Sequence, residues 1–163
     1  MSYFHEKTVW LTGASSGIGL AMAEQLAAAG ARLILTARRA DVLEQVRQNL
    51  PNPDLHRVLP LDLSQPEQAV EQARNALGET QIDILINNAG VSQRSKILDT
   101  DLSVYRQLME IDYFAVVALT KLVLPAMAAR RSGQIVTVSS VAGKVGTKLR
   151  SGYNGAKFGV LGF

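Results

Sequence analysis

Five short runs of apolar residues, each followed by a segment of helical length or by a tight turn, confine this chain to one fold class. The runs are Thr8-Val9-Trp10-Leu11-Thr12, Ala31 to Thr36, Val58 to Leu61, Ile82 to Ile86 and Gln134 to Val138. They are nearly continuous in apolar residues rather than alternating, which suits strands covered on both faces. Between them, Ile18 to Ala29 is rich in strong helix formers, with Gly30 where a glycine ends a helix. Ala40 to Asn49 and Pro66 to Leu77 read as two further helices, the second capped by Ser64 with Pro66 in its first turn. Leu102 to Arg131 is a longer helix holding Pro125, which should kink or divide it. Strands alternating with helices require right-handed crossovers, so the expectation is an α/β fold: a doubly wound parallel sheet of about five strands.

The length of 163 residues matches one domain, and no linker or repeat divides it. A helix opens at Gly152, and Phe163 ends the sequence inside it, leaving Val160, Leu161 and Phe163 in need of cover. Residues 1–163 therefore read as a single domain that is incomplete at its carboxyl end.

Composition removes several function classes. There are no cysteines, so disulfides and thiol chemistry are excluded. His5 and His56 have no metal-ligand spacing around them. The net charge of +3 is scattered, which argues against a nucleic-acid groove. Met1 to Lys7 does not resemble a signal peptide. The most apolar stretch, Tyr113 to Ala129, carries Lys121 and falls short of the roughly 20 residues a bilayer requires, so it reads as a buried or interfacial helix. The expectation is a cytoplasmic protein with neither membrane nor nucleic-acid partners.

The first strand runs into Thr12-Gly13-Ala14-Ser15-Ser16-Gly17-Ile18-Gly19. Glycines at this spacing allow positive φ and let backbone approach a ligand closely. The helix that follows aims its free N–H groups at an anion, the place of a dinucleotide pyrophosphate in a doubly wound sheet. No Gly-Lys-Ser/Thr follows, so this is not a P-loop. The second strand ends in Thr36-Ala37-Arg38-Arg39 with no carboxylate for a ribose 2′-hydroxyl. A guanidinium at Arg38 would instead grip a 2′-phosphate, favouring NADP(H) over NAD(H).

Tyr153-Asn154-Gly155-Ala156-Lys157 places a phenol and an ammonium at i and i+4 on one helix face. A fixed positive charge nearby stabilises phenolate and makes tyrosine a usable acid–base group. Ser139-Ser140 ends the fifth run, at the carboxyl edge where such sheets bind ligands. With Asp62 after the third run and Asn87-Asn88-Ala89-Gly90 after the fourth, the chain from about Lys7 to Phe163 resembles the short-chain dehydrogenases/reductases, which have a Rossmann-type fold. Gly143-Lys144 and the run Tyr113 to Met127 look most like the branch of microsomal-type hydroxysteroid dehydrogenases and their bacterial relatives.

The resemblance implies that Tyr153 exchanges a proton with a substrate hydroxyl or carbonyl oxygen, while a nicotinamide exchanges a hydride at the carbon. It implies that Lys157 lowers the Tyr153 pKa and binds the nicotinamide ribose, and that Ser140 donates to the substrate oxygen. Gly13, Ser15, Ser16, Gly17, Ile18 and Gly19 would form the phosphate loop. Asp62 and Leu63 would lie beside the adenine, Asn88, Ala89 and Gly90 would line the cofactor cleft, and Asn87 would brace the central strand. The 102–131 helix and the helix from Gly152 match the family's common dimer interface, implying a homodimer or homotetramer. One departure is Asp112, which stands where many members carry an asparagine that takes part in the proton relay. Another is the family's carboxyl-terminal strands and substrate lid, which these residues do not include. Two function classes remain open: an NADP(H)-dependent oxidoreductase acting on a small alcohol, ketone or aldehyde, or a nucleotide-binding module without turnover. A partner-binding regulator would not need Ser140, Tyr153 and Lys157 together.

Overall fold

The computed structural model describes residues 2–163. Five strands, β1 (Thr8–Thr12), β2 (Arg32–Thr36), β3 (Arg57–Val58), β4 (Ile84–Asn87) and β5 (Gln134–Thr137), form one parallel sheet in the order β3-β2-β1-β4-β5. Helices α1 (Gly17–Ala28), α2 (Ala40–Asn49), α3 (Pro66–Leu77), α4 (Leu102–Met109), α5 (Ala115–Ala129) and α6 (Ser151–Gly162) surround it.

The continuous apolar runs are explained by two cores, one on each face of the sheet. Val9, Leu11, Leu33, Leu35, Ile84 and Ile86 point to one face and pack with Ala23 and Leu26 of α1 and Leu43 of α2. Trp10, Ile34 and Leu85 point to the other and pack with Ala69 and Ala73 of α3 and Leu119 and Val123 of α5. The Trp10 indole N–H, fully enclosed, donates to Thr36 Oγ1 at 2.9 Å. Because β2 and β4 flank β1, the chain turns opposite ways after β1 and β4. The resulting crevice at their carboxyl ends is the usual ligand position in such sheets.

Several local expectations are corrected. The third run forms a regular strand only at Arg57–Val58. Pairing nevertheless continues, with Leu59 N donating to Leu35 O at 2.8 Å and Leu61 N to Ala37 O at 3.0 Å. Pro60 lies between these two donors, and this edge strand has no outer neighbour requiring a Pro60 N–H. Ser64 does not cap α3; Gln65 occupies that position, and the Ser64 hydroxyl donates to Asp62 Oδ1 at 2.8 Å.

The long helix does not break at Pro125, which lies inside α5. Pro125 and Lys121, whose carbonyl loses its partner, are both exposed, so the carbonyl is not left unpaired in the core. The irregularity lies upstream, where Glu110–Phe114 forms a π-helical turn joining α4 to α5. The whole of Leu102–Ala129 is thus long and apolar enough to cross a membrane by length and composition, unlike the shorter stretch read from sequence. Its inner face is packed into the protein, with Leu108, Ile111, Val116, Leu119 and Met127 buried.

Candidate active site

Thr12 fastens the first loop to the fourth. Its buried hydroxyl donates to Ile86 O and accepts from Asn88 N and Ala89 N, each at 3.0 Å. Asn88 Nδ2 returns a bond to Thr12 O at 3.0 Å. Gly13 sits at φ +69°, and a Cβ there would press on Ala89 Cα. A Cβ on Gly19 would overlap the Gly13 carbonyl and Asn88 Nδ2. The spaced glycines therefore allow two loops and the first turn of α1 to close on one another without side chains between them. Ser16 stands at the amino end of α1 and makes no side-chain cap, so its hydroxyl is not committed to the helix.

These loops enclose a cavity of about 420 Å³. It brings together Gly13, Ser15, Ser16, Ile18, Gly19, Arg38, Asp62, Leu63, Asn88, Ala89 and Gly90 of the sequence-derived site. Gly17, at φ +55°, shapes the turn but does not line the cavity. Arg38 and Arg39 are exposed on its rim, at the end of β2. Asp62 is held below the ordinary carboxylate range by hydrogen bonds from the Ser64 backbone and hydroxyl, with a smaller contribution from the Arg38 charge.

Ser140, Tyr153, Lys157 and Asp112 lie outside this lining, past its Gly90 end. Lys157 is 5% exposed, its Nζ 5.7 Å from the Tyr153 ring centroid and donating to Val138 O at 3.2 Å. The phenol and ammonium thus share one side of α6, as the spacing predicts. Ser140 follows β5, and its Oγ accepts from Ala142 N at 3.1 Å at the start of the short turn Val141–Gly143. That turn packs on α6 so closely that a Cβ on Gly143 would meet the Lys157 carbonyl.

Asp112 is fully buried in the π-helical turn. Its Oδ1 accepts from Val91 N at 2.9 Å, and its Oδ2 has no partner. Burial pushes this carboxyl up to about 6, against the pull of the Lys157 charge and the Val91 N–H. Gly90 fits between the two groups: a Cβ there would lie 2.7 Å from Asp112 Oδ1 and 3.4 Å from Lys157 Nζ. Asn87 is buried at the end of β4, its amide directed to Thr120 Oγ1 at 3.4 Å, consistent with bracing strand to helix.

Thr12 opens the first-loop motif, but its role in joining the two loops escaped the sequence reading, as did two further contributors. Gln93 is buried and accepts from Tyr153 N at 3.1 Å, fixing the start of α6. Arg150 places its guanidinium carbon 5.8 Å from the Tyr153 ring centroid and donates to Ser92 Oγ at 2.9 Å. Gln93 and Arg150 belong to no recognisable spacing; a polar residue in a loop carries the same signal as any other loop residue.

The fold agrees with known proteins. The chain is 46% identical over 167 residues to Dehydrogenase/reductase SDR family member 7 of Mus musculus, covering 97% of this chain and 48% of that protein. It therefore spans about half the length of the curated relatives it matches. Among solved structures, a short-chain dehydrogenase from Streptomyces avermitilis superposes with a TM-score of 0.89 at 35% identity, covering 98% of this chain and 58% of that one. A metagenomic short-chain oxidoreductase in complex with NADP gives 0.88 at 30% identity, covering 99% and 74%. The family described as short chain dehydrogenase matches residues 7–163, and the chain belongs to that family.

Proposed function

We propose that this chain carries the nucleotide site and proton-transfer groups of an oxidoreductase that moves a hydride between NADP(H) and the carbinol or carbonyl carbon of a small alcohol, ketone or aldehyde. The observation that carries the reading is the buried Lys157 ammonium beside the Tyr153 ring, adjoining the Gly90 end of the loop cavity.

The residues present fit a dinucleotide. The cradle at Gly13 and Gly19 is one that a Cβ would fill, and the amino end of α1 opens on it. Arg38 and Arg39 on the rim, with no carboxylate at the end of β2, suit a 2′-phosphate, and a related structure holds NADP. When bound, the nicotinamide supplies the hydride for reduction or accepts it in oxidation. In reduction, the Tyr153 hydroxyl gives its proton to the carbonyl oxygen as the carbon becomes a carbinol. Lys157 stabilises the phenolate that remains, and the Ser140 hydroxyl donates to the same oxygen. In oxidation the phenolate takes the proton back.

The chain also pairs with itself in this reading, as a homodimer or homotetramer through the long 102–131 helix and α6. Phe114, Leu124, Phe158 and Leu161 leave 45–47% of their surfaces exposed along these helices, which supports it. Sedimentation of the purified protein tests that association.

A second reading is nucleotide binding without turnover, since the loop cavity is lined without Ser140, Tyr153 or Lys157. Incubating the protein with NADPH and a panel of ketones and aldehydes separates the two. Loss of nicotinamide absorbance above a Tyr153→Phe control supports the enzyme; saturable NADPH binding without consumption supports the module.

A further inference from the structure

The Tyr153 ring has a second cation beside it. Arg150 lies 5.8 Å from the ring centroid, about as near as Lys157, but it is only partly buried, and its one hydrogen bond goes to the Ser92 hydroxyl. A guanidinium has five N–H donors. No carboxylate engages it: among the described residues the one ion pair is Glu44 with Arg47, on α2.

The surrounding sequence shows where its counter-charge is missing. No Asp or Glu occurs among residues 113–163, the stretch that builds α5, β5, the turn after it and α6. Lys144 and Lys148 are exposed on that turn. The loop facing it, residues 88–98, contributes Arg94 and Lys96 and again no acid. The two loops are joined where Ser95 N donates to Leu149 O at 3.0 Å. The nearest carboxyl in the site, Asp112, is sealed away on the Lys157 side with no exposure. Arg150 is therefore a cation beside the Tyr153 ring that is held by Ser92 and has no carboxylate partner, and the two joined loops next to it carry further cations.

We infer that Arg150 is a substrate-recognition residue, and that the substrates of this site are oxo acids and the corresponding hydroxy acids, whose carboxylate Arg150 binds while the carbonyl or hydroxyl faces Tyr153. This rests on the hydride-transfer reading above and adds the chemical class of substrate to it. A planar guanidinium takes a carboxylate through paired hydrogen bonds, and Ser92 fixes the fork so that little freedom is lost on binding. The surrounding cations raise the local concentration of anionic substrate and make the preference salt-dependent.

The test compares three oxo acids with their methyl esters: benzoylformate, acetoacetate and levulinate, which place the carboxylate at increasing distance from the carbonyl. For each pair kcat/KM with NADPH is measured in the wild type, Arg150→Gln and Arg150→Lys. The expected result is at least one acid preferred over its ester by about tenfold or more, a ratio that collapses toward one in Arg150→Gln and partly returns in Arg150→Lys. Esters reduced as well as their acids in all three pairs, or a ratio unmoved in Arg150→Gln, overturn the assignment. If neither acid nor ester is turned over while NADPH binds, the hydride-transfer reading fails, and calorimetric titration with benzoylformate decides Arg150 separately. Binding that Arg150→Gln abolishes sustains the anion site, and no binding to the wild type removes it.

Discussion

Lys157 and Tyr153 lie one turn apart on α6, and the ammonium between the phenol and the sheet is anchored by the Val138 carbonyl at 3.2 Å rather than by a carboxylate. The Asp112 carboxyl across Gly90 is a buried counter-charge near it. Lys157→Met, which keeps the length and removes the charge, should lower unfolding free energy by about 3 kcal/mol at neutral pH, because the ionised Asp112 is left buried and unpaired. The same substitution should lower kcat by about a hundredfold or more, because the phenolate loses its stabilising charge. Chemical denaturation and steady-state kinetics on the one variant check both.

Asp112 makes stability depend on pH in the direction opposite to most carboxylates. Its folded value of about 6 lies above the ordinary 3.8, so between those values the native state holds a proton that the unfolded chain has lost. The contribution is fully present below 3.8, falls as pH rises, and settles at a cost on the order of 3 kcal/mol above about 6. Asp112→Asn keeps an acceptor for Val91 N and cannot ionise. Its stability relative to wild type should rise with pH across that window and remain higher at neutral pH. A difference that is flat with pH would show that the carboxyl titrates normally.

Gly19 is where two loops touch. Gly19→Ala would force a Cβ into the Gly13 carbonyl and the Asn88 amide, so the loops must part. The expected effect is a loss of about 1–3 kcal/mol in stability, as for other overpacked sites. NADPH affinity should fall by about tenfold or more, since the cradle is displaced with its backbone donors. Fluorescence titration of NADPH checks the affinity, and Gly78→Ala is a control at a positive-φ glycine with open space around it.

Arg38 tests the choice of cofactor. Arg38→Asp should abolish a preference for NADPH over NADH, the charge-assisted bonds to a 2′-phosphate being worth about 1.5–3 kcal/mol. Comparing dissociation constants for the two nucleotides before and after substitution is sufficient. An unchanged ratio would assign the preference elsewhere, with Arg39 the neighbouring cation on the rim.

Much of the architecture was legible because it is written in periodicity. The continuous apolar runs at Val9–Leu11, Leu33–Leu35 and Ile84–Ile86 face two cores at once, and that leaves a plain signature. The loop glycines were legible because Gly13 and Gly17 need positive φ. Features set by three-dimensional balance were less visible. Pro125 signals a break, but its exposed position keeps the unpaired carbonyl out of the core, while the π-helical turn at Glu110–Phe114 carries no comparable marker. Ser64 is a good cap by composition, yet the nearby Asp62 carboxylate captures its hydroxyl. Tyr153 and Lys157 could be paired from their spacing; Thr12, Gln93 and Arg150 act across 58 to 77 residues of sequence, and only the fold brings their partners to them.

The most direct measurement is NADPH binding and NADPH-dependent carbonyl reduction followed in parallel for the wild type and Tyr153→Phe. Both should bind NADPH within about twofold of each other, while kcat falls by roughly a hundredfold or more when the single hydroxyl is removed. Reduction that proceeds undiminished in Tyr153→Phe would contradict proton transfer by Tyr153.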